Sequence, residues 1–168
     1  MDNDRPDLGA ATDLVITRIF DAPRDLVFQA WSEPKYVSRW WGPRGFSTPF
    51  CNIDFRVGGS FHFCMRSPEG KDYWNKGVYQ EIVVPTKIVA TMYFSDQDGH
   101  RLQPSHYGMG ADFPPEMLDV VTFEVHEHDK TRLTLRRNHS LEIAKRYRED
   151  EGWSQTLDRL AAALRAIP

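Results

Sequence analysis

Apolar and polar positions in this chain switch between a period of two and the spacing of a helix, and the switches delimit its elements. The run TDLVITRIF, ending at Phe20, is rich in β-branched residues and predicts a strand beginning near Asp13. It closes at Asp21-Ala22-Pro23, where a proline at a first helical position turns the chain into a helix. Leu26, Val27, Ala30 and Trp31 form one buried helical stripe, and a second short helix runs from Glu33-Pro34 to Trp40 or Trp41. The rhythm then returns to two. Phe61, Phe63 and Met65 alternate with His62, Cys64 and Arg66 ahead of the turn Ser67-Pro68-Glu69-Gly70. Further strands are expected at Asp72 to Val83, Lys87 to Ser95 and Leu118 to Glu127, the last with Val121, Phe123 and Val125 as its apolar phase. Leu133 and Leu135 continue that phase beyond the turn His128-Asp129-Lys130, so an antiparallel meander is the simplest topology.

The end of the chain is helical. Ser140 can cap a short helix, Asp150 and Glu151 suit the amino end of the next, and Trp153, Leu157, Leu160 and Leu164 make one continuous stripe. The order predicts an α+β fold: a curved antiparallel sheet wrapped around a long C-terminal helix, with two short helices after the first strand. A bent sheet and a straight helix cannot pack everywhere, so a cavity is expected between them. Residues 1 to 12 carry no period and are expected to form a flexible tail, leaving 13 to 168 as a single domain. The segment Asp96 to Met117 reads as a long loop, able to cover a sheet edge or to reach a second subunit in a homodimer.

Between the helices and the sheet stands WWGPRGF, Trp40 to Phe46. Neighbouring indoles cannot both point the same way, so one is expected in the core and the other lining something else. Gly42, Pro43 and Gly45 make the segment a rigid aromatic corner suited to the mouth of an apolar pocket.

Composition narrows the function. The chain has 168 residues, long enough to bury a core unaided, and 21 basic against 24 acidic residues leave a charge of −3. That charge offers no field for nucleic acid or an anionic membrane. No apolar run reaches transmembrane length and the amino terminus is unlike a signal peptide, so a soluble cytoplasmic protein is expected. Cys51 and Cys64 are expected to stay free thiols.

The chain resembles the activator-of-heat-shock-ATPase-homologue-like branch of the START and polyketide-cyclase (SRPBCC) superfamily. The resemblance is carried by RIFDAPRDLVFQAWSEP (Arg18 to Pro34), WWGPRGF, DFRVGGSF (Asp54 to Phe61), GVYQEI (Gly77 to Ile82), VTFEV (Val121 to Val125) and EGWSQTLDRL (Glu151 to Leu160), in that order. It implies the START-like fold called helix-grip, with a hydrophobic cavity under the long helix that holds a small apolar or amphipathic molecule. Some relatives have turned that cavity to enzymatic use. In the co-chaperones that gave the family its name a separate amino-terminal domain makes the main chaperone contact, whereas only a dozen residues precede the first strand here, which weighs against chaperone partnership.

The expected cavity lining is Trp31, Trp40, Trp41, Phe61, Phe63, Trp74, Tyr79, Tyr93, Phe123 and Trp153, set against the plainer reading that they fill the core. His106 and Tyr107 in the long loop are the most plausible chemical pair, to be weighed against an exposed loop histidine. Asp54 and Arg56 read as a structural ion pair, and Gly58-Gly59 is no phosphate loop because no Lys-Ser/Thr follows. His126 with His128, and His62 with Cys64, fall short of a metal site, so neither metal nor cofactor is expected. No Ser/His/Asp order, carboxylate pair or Cys-His dyad is recognisable. Binding of a small hydrophobic or amphipathic ligand is therefore the leading reading. The alternatives are a cyclase, hydrolase or dehydratase acting on a carbonyl substrate through Tyr79, Tyr93 or His106, and a chaperone-associated interaction protein.

Overall fold

The computed structural model describes residues 13–167; the expected tail, residues 1 to 12, lies outside them. The order of elements is β1 (Asp13–Phe20), α1 (Arg24–Ser32), α2 (Pro34–Trp40), β2 (Ser47–Ile53), β3 (Ser60–Arg66), β4 (Asp72–Val83), β5 (Lys87–Ser95), β6 (Met117–His126), β7 (Lys130–Ser140), α3 (Leu141–Arg146) and α4 (Glu149–Arg165). All seven strands form one antiparallel sheet in the order β1-β7-β6-β5-β4-β3-β2. Only the pairing of the first strand with the last departs from a meander. This is the helix-grip arrangement that the pattern of apolar positions predicts.

Pro23 stands one position earlier than expected, as the residue before α1, and its carbonyl accepts from the amides of Leu26 and Val27. Pro34 opens α2, where a missing N–H costs nothing. Ser140 caps α3, its hydroxyl accepting from the Ile143 amide at 3.1 Å. Glu149, Asp150 and Glu151 fill the first turn of α4, where negative charge meets the positive end of the helix dipole.

One face of α4 is wholly inside: Trp153, Leu157, Leu160 and Leu164 are all buried. Its close neighbours are α2, β1, α3 and α1, so the helix rests on one flank of the sheet and on the two short helices. Over β3–β5 it stands off, and a cavity opens there.

The pattern of residues misses β2, whose sequence STPFCNI contains a proline and mostly polar or half-exposed positions. As an edge strand it needs hydrogen bonds on one side only, which admits Pro49. Val125 is also corrected: it is 62% exposed, because the β6–β7 hairpin runs past the edge of the core. His128 falls, exposed, in the expected turn after β6, while His126 ends the strand.

Candidate functional site

The cavity has a volume of about 310 Å³. Its sheet wall is built by the inward phase of successive strands, Met65 on β3, Tyr73 and Asn75 on β4, Met92 and Phe94 on β5, and Met117 on β6. The opposite wall is Trp153 and Thr156 of α4 with the corner from Trp41 to Phe46. Met109 and Phe113 of the long loop add to it, and Tyr147, Arg148 and Glu149 line the end where α4 begins. Methionines and aromatics dominate, giving an apolar and deformable lining. Behind it, a pocket of about 40 Å³ lies among Phe61, Phe63, Tyr79, Trp31 and Val121, and Trp41, Met92 and Trp153 belong to both spaces.

The aromatic corner joins core and cavity. Trp40 is 0% exposed and its Nε1–H donates to the Ala30 carbonyl at 2.9 Å. Trp41 turns the other way, its ring 5.0 Å from Phe63 and 5.5 Å from Trp153, while its Nε1–H has no partner among the described residues. Gly42 permits the turn at φ 98°, where a Cβ would press on Phe46 and on the Met65 sulfur. Arg159 of α4 fixes the corner by donating to the carbonyls of Trp41 and Gly42, both at 2.9 Å.

The wall also holds a charged cluster that the sequence reading does not include. Arg137 of β7 donates to both oxygens of Asp119 on β6, at 2.7 and 2.8 Å, and to Glu149 of α4 at 3.2 Å. Burial opposes the guanidinium charge, but the two carboxylates outweigh it and hold the group above its ordinary value. His139, fully buried on the same strand face, has Nδ1 2.7 Å from Glu149 Oε2. Those two atoms are close but not aligned as a hydrogen bond, and Nε2 has no partner among the described residues.

Of the expected lining residues, Trp41 and Trp153 face the main cavity, and Trp31, Phe61, Phe63 and Tyr79 the inner pocket. Trp40 and Phe123 are core, the latter packed edge-on against Phe28 and Trp31. Trp74 and Tyr93 are on the other face of the sheet, for they share the outward phase of β4 and β5. There Trp74 packs on Phe50 and His62, and Tyr93 stacks under the Arg101 guanidinium at 4.0 Å. His106 is exposed on a 3-10 turn, Pro104–Tyr107. Tyr107 is buried but structural: its hydroxyl donates to the Ser95 carbonyl at 2.6 Å and accepts from the Trp74 amide at 3.2 Å. Tyr79, Tyr93 and His106 are thus not gathered in one place. Asp54 and Arg56 form an exposed ion pair at 2.9 Å, away from the cavity.

The family described as Activator of Hsp90 ATPase homolog 1-like protein matches residues 21–165 of the chain. Among solved structures, a protein from Nitrosomonas europaea is 24% identical with a TM-score of 0.73, covering 94% of this chain and 96% of that one. A protein from Arthrobacter aurescens, solved by NMR, is 23% identical with a TM-score of 0.77, over 94% and 88%. The AHSA1 protein from Silicibacter pomeroyi is 26% identical with a TM-score of 0.67, over 92% and 98%. No curated protein matches.

Proposed function

The chain belongs to the Activator of Hsp90 ATPase homolog 1-like family, and we propose that it binds one small hydrophobic or amphipathic molecule in the cavity between α4 and the sheet. The observation that carries this reading is the cavity itself. It reaches the size range of small-molecule sites, and a lining rich in methionine and aromatic side chains with a few polar groups is what such sites use. Removing an apolar molecule from water into this space supplies the driving force. Catalysis on a carbonyl substrate ranks behind, because the phenols and imidazole expected to carry it are dispersed over both faces of the sheet.

The test is titration with the uncharged fluorophore N-phenyl-1-naphthylamine, followed by thermal unfolding with and without it. Saturation at one probe per chain is expected. A ligand that prefers the folded state adds about 2.7 kcal/mol at a hundred times its Kd, so the unfolding midpoint should rise with probe concentration. Lack of saturable binding to the folded protein would remove the reading.

A further inference from the structure

We propose that the molecule held in this cavity carries an uncharged hydroxyl or carbonyl group bound by Trp41 and Asn75, and that a carboxylate on the same apolar body is rejected. The inference rests on the ligand-binding reading above and narrows it to a chemical class.

Trp41 Nε1 and Asn75 Oδ1 both belong to residues lining the cavity, and neither atom has a hydrogen-bond partner among the described residues. The residues are only 9% and 4% exposed. Buried polar atoms are nearly always paired, so these two, facing one apolar cavity from opposite walls, point to a partner that arrives from outside. The two adjoin a common neighbour. Asn75 sits on β4 opposite Phe63 of β3, and the Trp41 ring lies 5.0 Å from that same Phe63. An indole N–H can only donate, whereas an amide offers a donor or an acceptor according to which way it turns. A hydroxyl accepts from Trp41 and donates to the amide oxygen; a carbonyl accepts from Trp41 and from the amide nitrogen.

A carboxylate lacks its counterion here. Arg137, the buried cation of the wall, is already paired with Asp119 and Glu149. One guanidinium against two carboxylates leaves no positive charge to spare. Arg148 also lines the cavity, but it is exposed and its charge is screened by water. Burying an anion without a counterion is costly.

The experiment is calorimetric titration with 2-isopropylnaphthalene, 2-acetylnaphthalene and 2-naphthoate, which share a ring and differ in the head group. The ketone should bind about tenfold more tightly than the hydrocarbon, and the carboxylate at least about tenfold more weakly than the ketone. Asn75→Leu and Trp41→Phe should each bring the ketone-to-hydrocarbon ratio towards one; should Asn75→Leu fail to fold, Trp41→Phe, which keeps an aromatic ring, decides. Equal affinity for ketone and hydrocarbon, or naphthoate binding as tightly as the ketone, overturns the inference and leaves ligand binding standing. Binding of none of the three overturns both.

Discussion

Trp40 and Trp41 are neighbours in sequence, yet their indole nitrogens meet opposite fates, one bonded to the Ala30 carbonyl and the other open on the cavity wall. Trp40→Ala opens a closed void and strips a hydrogen bond from a buried carbonyl, so it should cost about 3–5 kcal/mol. Trp41→Ala only enlarges an existing space and should cost less, about 1–3 kcal/mol. Urea unfolding of the two variants side by side measures the difference, and equal losses would make Trp41 mere core. The thiols give a second check. Burial pushes Cys51 up from 9.0 to about 12 and Cys64 up to about 11, which leaves little thiolate at neutral pH. Ellman's reagent at pH 7 should therefore react with the folded protein at least about a hundredfold more slowly than with the unfolded chain, and faster as pH rises. At this scale the corner was legible, because two tryptophans ahead of Gly-Pro admit few placements. Arg137 and His139 were not, although the signal was present: they continue the inward phase of Leu133 and Leu135. A charged residue in an apolar phase is the mark of a buried polar cluster, but its partners Asp119 and Glu149 lie on other elements, and sequence spacing does not join them.

Among the elements, α4 was the most legible, since a stripe of four large apolar residues at helical spacing has one way to be buried. Leu160 is 0% exposed, and Leu160→Ala should cost about 2–5 kcal/mol by urea unfolding. The loop between β5 and β6 was legible as a loop but not as structure. Its length suggests cover for a sheet edge: β1 and β2 are the outer edges, but β6 pairs with β5 only as far as Met92, and the loop pairs with the end of β5 left open, the Leu102 amide donating to the Phe94 carbonyl, before folding over β4. Tyr107 anchors one part of it, and Asp112, which takes hydrogen bonds from Arg146 and from the Tyr147 hydroxyl, ties another to the end of α3. Tyr107→Phe leaves the Trp74 amide and the Ser95 carbonyl without that hydroxyl, at about 1–3 kcal/mol. Because Phe113 of the same loop lines the cavity, the loop is part of the ligand wall. Its aromatic residues have no period, so nothing in their spacing could say which of them turned inward.

In the whole molecule, α4 must lie close enough to the sheet to bury its stripe and far enough from β3–β5 to leave a cavity. Polar clasps tie α4 down from three directions. Arg18 of β1 bonds Asp158 at 2.7 Å and the Ser154 hydroxyl at 3.2 Å, Arg159 holds the carbonyls of the corner, and Glu149 reaches Arg137 and His139 at the other end. The first joins a half-buried arginine to an exposed carboxylate and contributes little. The last is buried, and removing its cation strands Asp119 and Glu149 inside the protein, so Arg137→Met should cost about 3–5 kcal/mol despite adding apolar surface. Equilibrium urea unfolding measures it. A loss below about 1 kcal/mol would mean that the carboxylates had found other partners or water, and that the cluster does not hold the helix. The same variant bears on the cavity, whose wall includes Arg137 and Glu149. If the clasp fixes the spacing of helix and sheet, Arg137→Met should also weaken N-phenyl-1-naphthylamine binding, although no charged group is needed to hold an uncharged probe. Weaker binding of a neutral ligand by a variant that has lost the guanidinium and its hydrogen bonds to Asp119 and Glu149 would place the origin of the cavity in the clasp, since apolar contact with the ligand would otherwise have been increased by the methionine.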